Sequence, residues 1–169
     1  RSLRLASALS SQGIKRGDTV SAILSNTPAM LEAHYGVPMC GAVLHSINTR
    51  LDPDTIAYQL DHSDAKALIV DREFLDAVKI SLELSEVSPI LIDYNDSEYP
   101  VLDSLPEAIE YEAFLLQGDT NYEWLMPEDE WDAISLNYTS GTTGNPKGVV
   151  SHHRGAYLLA QGNAMIASI

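Results

Sequence analysis

Hydrophobic and polar residues follow one another along the first 93 residues with spacings that predict helices and strands in turn. Leu5, Ala6 and Leu9 have helical spacing, and residues 19–24 form the short apolar run of a strand. A polar cap followed by proline at residues 26–28 predicts the start of the next helix. The same rhythm predicts strands at residues 43–47, 67–70 and 89–93 and helices at residues 52–60 and 74–84. This alternation favours an α/β fold whose mostly parallel sheet is covered by helices.

The alternation stops at an acidic stretch between residues 95 and 131. A short helix is predicted at residues 112–116, and the rest is interpreted as a solvated surface loop. Trp124 and Trp131 are predicted to anchor this loop on the core. After it, residues 155–169 predict a helix of small and apolar residues that packs under the sheet.

Composition narrows the possible partners. The 169 residues include 24 acidic and 10 basic side chains, which gives a formal charge of −14. Such a charge argues against sequence-independent nucleic-acid binding and against docking on anionic lipid. The simplest interpretation of the excess acid is that it favours solubility. No apolar run is long enough to cross a bilayer, so no integral membrane segment is predicted.

Cys40 is the only cysteine, so no disulfide within the chain is possible. Its apolar neighbours predict a buried structural thiol, and the absence of disulfides fits a reducing, cytoplasmic location. The chain starts at Arg1 rather than at methionine, which leaves targeting to an organelle open. Oligomeric state is open as well.

The segment most informative about chemistry is residues 138–148, which read YTSGTTGNPKG. Its glycines allow backbone N–H groups to approach an anion, its hydroxyls add uncharged donors, and Lys147 supplies a positive charge. Asn145 and Pro146 separate Gly144 from Lys147, so this is not a Walker A sequence. The valines that follow favour a strand, so we predict a strand–loop–strand hairpin over a phosphate.

Residues 138–148 resemble the signature loop of the AMP-forming, acyl-adenylating enzymes, which include acyl-CoA synthetases, firefly luciferase and the adenylation domains of peptide synthetases. Residues 149–157, 47–51, 56–60 and 62–66 are similar to the branch of medium-chain and related acyl-CoA ligases. The resemblance implies the N-terminal part of the acyl-adenylating enzyme fold. It also implies that residues 1–169 are a partial AMP-binding domain, truncated at both ends and lacking the C-terminal domain.

The reaction implied by this resemblance joins a carboxylic acid to the α-phosphate of ATP and releases pyrophosphate. The acyl group then passes from AMP to coenzyme A. The implied acid is a medium-chain fatty or small substituted acid, and Mg²⁺ is the implied metal. A carboxylate is already ionised at neutral pH, so catalysis depends on positioning and electrostatics rather than on a general base.

The resemblance also assigns roles within the signature loop. Thr139 matches the position that helps to hold Mg²⁺, and Lys147 is the candidate catalytic residue that steadies the loop or the pyrophosphate. The predicted ATP-phosphate-binding residues are Thr139, Ser140, Gly141, Thr142, Thr143, Gly144, Asn145, Pro146 and Lys147. The alternatives are a glycine- and threonine-rich hairpin without a ligand, and a Lys147 that is merely solvated.

The histidines are given no catalytic role. His152 and His153 are predicted to point to opposite faces of one strand, which makes them poor joint metal ligands. A structural or loop-anchoring role is inferred for His153 from the resemblance. His34, His45 and His62 lie apart from one another and are assigned no chemistry.

Other functions remain open at this point. The chain could belong to an acyl-carrier-protein ligase, a peptide-synthetase adenylation domain or a non-catalytic nucleotide-binding relative, and a P-loop NTPase is disfavoured by the order of the loop residues. The resemblance places the adenine, ribose and most acyl contacts downstream. Residues 1–169 alone are therefore expected to have no ligase activity.

Overall fold

The computed structural model describes residues 1–139 and 145–167. The helices are α1 (Ser2–Ser11), α2 (Pro28–Met39), α3 (Pro53–His62), α4 (Leu75–Leu84), α5 (Tyr111–Leu116) and α6 (His153–Ala167), with a 3-10 turn at Arg72–Phe74 before α4. The strands are β1 (Thr19–Ile23), β2 (Val43–Ser46), β3 (Ala65–Asp71), β4 (Ile90–Tyr94), β5 (Ile109–Glu110), β6 (Ala133–Thr139) and β7 (Lys147–His152).

The strands form one sheet in the order β5-β4-β3-β1-β2-β6-β7. Every adjacent pair is parallel except β6 and β7, which are antiparallel. β2 pairs with one edge of β1, and β3, the next strand in sequence, pairs with the opposite edge of β1. This confirms the predicted α/β fold with a mostly parallel sheet, and it confirms the predicted antiparallel pairing of the last two strands.

Helices cover both faces of the sheet, and each face has its own apolar core. On one face, Leu5 and Leu9 of α1 pack with Phe114 of α5 and with the buried face of α2. On the other face, side chains of α3 and α4 such as Leu60 and Val78 pack against the sheet. The strand β1 lies between the two cores, and all five of its residues are buried. Burial on both faces explains why the strands are short continuous apolar runs.

The acidic stretch is more than a solvated loop. It contains the predicted short helix, α5, and the small strand β5, which was not predicted. Tyr111 of α5 is fully buried and its hydroxyl donates a hydrogen bond to Glu32 at 2.8 Å. The predicted anchoring by tryptophan is wrong, because Trp124 and Trp131 are 53% and 62% exposed. Buried side chains of α5 provide the anchor instead.

Two further predictions concern α6 and Cys40. The prediction that the last helix packs under the sheet is wrong for the described residues, because α6 has no buried side chain and Leu159 and Met165 are exposed. Cys40 is a buried thiol, and burial raises its pKa to about 11, as expected for a structural cysteine. No helix in the described part of the chain is long and apolar enough to cross a membrane.

Candidate functional site

The β6–β7 hairpin carries the described part of the predicted phosphate loop. The antiparallel register places Thr139 opposite Lys147, and Tyr138 opposite Gly148. Thr139, Asn145 and Lys147 are exposed, and Pro146 is half-buried. The predicted phosphate-binding residues 140–144 lie outside the described residues. Thus the two ends of the loop meet at a hydroxyl and an ammonium group on neighbouring strands.

Lys147 lacks a carboxylate partner in the described part of the chain, where the ion pairs within 4.0 Å all involve other cations. An ammonium group without a protein counter-ion is available to an anionic ligand. This matters because the chain as a whole has a formal charge of −14, which opposes anion binding through its overall field.

Gly148 allows the two strands to approach closely near the loop end of the hairpin. A Cβ atom at this position would lie 3.0 Å from Leu136 Cδ1 and 3.6 Å from Cζ of Tyr138. The ring of Tyr138 therefore lies against the backbone of its cross-strand partner. Such contacts between an aromatic ring and glycine fix the register of an antiparallel pair.

Two side chains of α3 contact the loop end of the hairpin. The Tyr58 hydroxyl donates a hydrogen bond to the carbonyl oxygen of Pro146 at 3.3 Å. Nδ1 of His62 lies 2.7 Å from the hydroxyl of Tyr138. The Tyr58 and His62 rings are 5.4 Å apart, and the His62 and Tyr138 rings are 5.6 Å apart with an edge-on geometry. One face of α3 thus contacts the chain at the end of β6 and just before the start of β7.

His45 supports the same region from inside the sheet. It is fully buried, with Nδ1 2.9 Å from the Ser21 hydroxyl and Nε2 3.3 Å from Oε1 of Gln59. Burial lowers the pKa of His45 to about 4, although the hydrogen bond to Gln59 partly opposes this shift. The neutral ring donates from Nε2 and accepts at Nδ1, and its centre lies 5.0 Å from the Tyr138 ring.

The burial of His45 predicts a dependence of stability on pH. Its pKa in the folded chain lies below the ordinary value of 6.5, so the unfolded chain binds a proton first as the pH falls. Stabilisation is complete above about pH 6.5 and is lost as the pH falls towards 4, by at most about 1.4 kcal/mol per pH unit. Urea denaturation at pH 7.5, 6 and 5 should show the difference in unfolding free energy between wild type and His45→Gln narrowing with falling pH. A constant difference would contradict this.

His152 and His153 do not lie on the same strand, contrary to the prediction. His152 ends β7 and His153 begins α6. Nδ1 of His152 accepts a hydrogen bond from the Gly155 amide at 2.8 Å, and its ring packs 4.6 Å from that of Trp131. The His153 amide donates to the carbonyl oxygen of Asp132 at 3.0 Å, and burial lowers the pKa of its side chain. Both histidines therefore have local partners at the strand–helix junction.

The described residues contain no group of three or more histidine, cysteine or acidic side chains placed to hold a metal ion. Thr139 offers a single neutral oxygen. This donor set fits a hard cation such as Mg²⁺ only if the remaining ligands are phosphate oxygens and water.

A separate groove of about 570 Å³ lies between α2, residues 124–127 and the start of α6. Its floor is mostly apolar, with Met39 and Met126 among the lining residues. The Leu125 amide donates to the Met39 carbonyl at 2.8 Å, which fixes one wall. None of the predicted phosphate-binding residues that are described lines this groove, although Ile134 near the start of β6 does.

A family model described as "AMP-binding enzyme" matches residues 1–167. The peroxisomal acetate/butyrate–CoA ligase of Arabidopsis thaliana is 49% identical, over 98% of this chain and 31% of that protein. An acetate–CoA ligase of Humulus lupulus is 45% identical, over 100% of this chain and 32% of that protein. The chain spans about a third of the length of these relatives.

The fold has close structural neighbours. An anthranilate–CoA ligase solved in complex with anthranoyl-AMP superimposes with a TM-score of 0.85 at 26% identity. The match covers 95% of this chain and 30% of that protein. The likeness extends over both cores and the sheet, since it covers nearly every residue described above.

Proposed function

Because the chain belongs to the AMP-binding enzyme family, we propose that its protein is an ATP-dependent, AMP-forming carboxylic acid–CoA ligase. The observation that carries the proposal is the β6–β7 hairpin, which places Thr139 opposite Lys147 at the two ends of the signature loop. Relatives named as CoA ligases support coenzyme A as the acceptor. Residues 1–169 would then supply the N-terminal part of the AMP-binding domain.

The proposed binding mode follows from the residue types. Lys147 neutralises charge on the β- and γ-phosphates, and Asn145 and Pro146 shape its approach. The segment formed by Ser140, Gly141, Thr142, Thr143 and Gly144 contributes N–H and hydroxyl donors to the same phosphates. When bound, Mg²⁺ would neutralise phosphate charge, with the Thr139 hydroxyl as its contact from this chain.

The chemistry required of these residues is electrostatic. The attacking carboxylate is ionised at neutral pH and needs no general base, whereas the departing pyrophosphate gains negative charge. Donors fixed in advance around that leaving group lower the barrier because they need no reorganisation during the reaction. Thr139 and Lys147 are the proposed donors at the two ends of the loop, so their positions depend on how the two strands are paired.

The size of the acid is proposed from the relatives. Two of them are named for acetate or butyrate, which are short-chain acids, and the structural neighbour for anthranilate, so these names support a short-chain or small substituted acid rather than a medium-chain one. An intracellular, reducing location fits the buried free thiol of Cys40. The Arabidopsis relative is peroxisomal, so both the cytoplasm and the peroxisome are compatible with this proposal.

ATP–pyrophosphate exchange by the full-length protein tests this function. Exchange should depend on added acid, and Lys147→Ala should lower it about 10- to 100-fold because the positive charge that stabilises the leaving pyrophosphate is lost. Lys66→Ala is the matched control, since Lys66 pairs with Asp64 at 2.7 Å, and it should leave exchange unchanged. Release of inorganic phosphate instead of pyrophosphate would refute the proposal, and equal activity of the two variants would refute the role of Lys147.

A further inference from the structure

The geometry points to Tyr58 and His62 as positioning residues: we propose that α3 holds the loop end of the β6–β7 hairpin and thereby sets the position of Lys147 for ATP. The proposal rests on the proposed function, because it concerns how the same hairpin binds phosphate. It concerns contacts between two distant parts of the chain, which are 88 and 76 residues apart in sequence.

The contact from Tyr58 reaches the residue directly before Lys147. Its hydroxyl donates to the carbonyl oxygen of Pro146, which belongs to the peptide group that joins Pro146 to Lys147. The φ angle of proline is fixed by its ring, so holding this carbonyl restrains most of the remaining freedom at that position. The hydrogen bond from α3 therefore restrains the backbone at the start of β7, and with it the position from which the Lys147 side chain extends.

The contact from His62 acts on the opposite strand. This contact is made with Tyr138 of β6. Its hydroxyl lies 2.7 Å from His62 Nδ1. Tyr138 directly precedes Thr139, so α3 restrains both residues that flank the ends of the loop.

These side chains are not needed for the core. Tyr58 and His62 are four residues apart on one face of α3, whereas Ile56 and Leu60 point into the core on another face. Tyr58 is half-buried and His62 is exposed, unlike the fully buried core residues of the same helix. Substitution at either position should therefore change the hairpin while leaving the stability of the fold nearly intact.

The expected effect is confined to nucleotide binding. In the full-length protein, Tyr58→Phe removes only the hydroxyl and should raise KM for ATP about 3- to 10-fold, as loss of one hydrogen bond predicts. KM for the acid should not change, because the hairpin is proposed to contact only phosphate. His62→Ala should raise KM for ATP by a similar factor. In His62→Asn the side-chain amide can replace Nδ1, so KM for ATP should stay close to the wild-type value.

The matched control is Tyr99→Phe, which removes a hydroxyl from a tyrosine that is 63% exposed and remote from the hairpin. It should leave both KM values unchanged. Coupling between the two substitutions gives a second readout. In a Lys147→Ala background, Tyr58→Phe should raise KM for ATP little further, because Tyr58 acts through Lys147. Full additivity of the two changes would overturn the proposal. So would equal changes in both KM values with a lower melting temperature, which indicate a general structural role.

Amide hydrogen exchange separates this proposal from the proposed function. If the wild-type protein shows no pyrophosphate exchange with any acid, the proposed function has failed while the positioning contacts can still be judged. Tyr58→Phe and His62→Ala should then speed exchange at the amides of β7 relative to Tyr99→Phe. Unchanged protection of β7 in both variants would overturn the positioning role whatever the activity.

Discussion

Replacing Arg72 with alanine is expected to lower the free energy of unfolding by about 3–5 kcal/mol. Arg72 forms a bidentate ion pair with Asp93, through Nε at 3.1 Å and Nη2 at 3.2 Å, and also donates a hydrogen bond to the Val101 carbonyl oxygen. Asp93 is 1% exposed. Removal of the guanidinium would leave this carboxylate buried without a counter-ion, which is far more costly than loss of a surface pair.

Urea denaturation followed by circular dichroism checks this expectation. Lys79→Ala is the control, because Lys79 pairs with the exposed Asp103, and that variant should lose less than about 1 kcal/mol. A double substitution of Arg72 and Asp93 by apolar residues should recover much of the stability, since it leaves no unpaired charge. A loss below about 1 kcal/mol in Arg72→Ala would show that Asp93 finds another partner or water.

Gly118→Ala is expected to destabilise the protein by about 3 kcal/mol or more, since relief of the clash requires backbone movement. A Cβ atom on Gly118 would lie 2.0 Å from the carbonyl oxygen of Arg4 and 2.7 Å from its carbonyl carbon. Both atoms belong to the backbone of α1, so rotation of a side chain cannot relieve the overlap. The end of α5 would have to move away from α1, which would expose part of the core around Phe114.

Gly162→Ala is the matched control for this substitution. Gly162 lies in α6, and a Cβ atom there would meet nothing within 4 Å. The control should be neutral or more stable by up to about 1 kcal/mol, because alanine favours a helix over glycine. Thermal unfolding of both variants compares the two directly. Equal melting temperatures would contradict the close approach of α1 and α5.

The features that could be predicted from sequence are those with local causes. The helix α3 begins where Asp52 caps the amide of Thr55 and Pro53 follows it, which is a signal contained in a few residues. The strand β5 was missed because its two residues are a strand only through pairing with β4, where Ile109 lies beside Ile92. No local pattern reveals such a pairing.

In the candidate site, too, features with local causes could be predicted and features that depend on distant contacts could not. The hairpin was predicted correctly because its glycines, hydroxyls and valines lie within one short segment. Its supports were not found, since His45, Tyr58 and His62 contact partners 14 to 88 residues away in sequence. Trp124 was misjudged because size and apolarity favour burial on average, whereas the buried aromatic side chains of this stretch are Tyr111 and Phe114 of α5.

The unequal pairing of β6 with its two neighbours has a consequence for motion. β6 is aligned with β7 at six positions but with β2 at only two, Leu44 with Ser135 and His45 with Leu136. The hairpin is thus attached more firmly to itself than to the sheet. It should behave as one cooperative unit that can detach at a lower free energy than global unfolding, so that its amides exchange together while β1 and β3 stay protected.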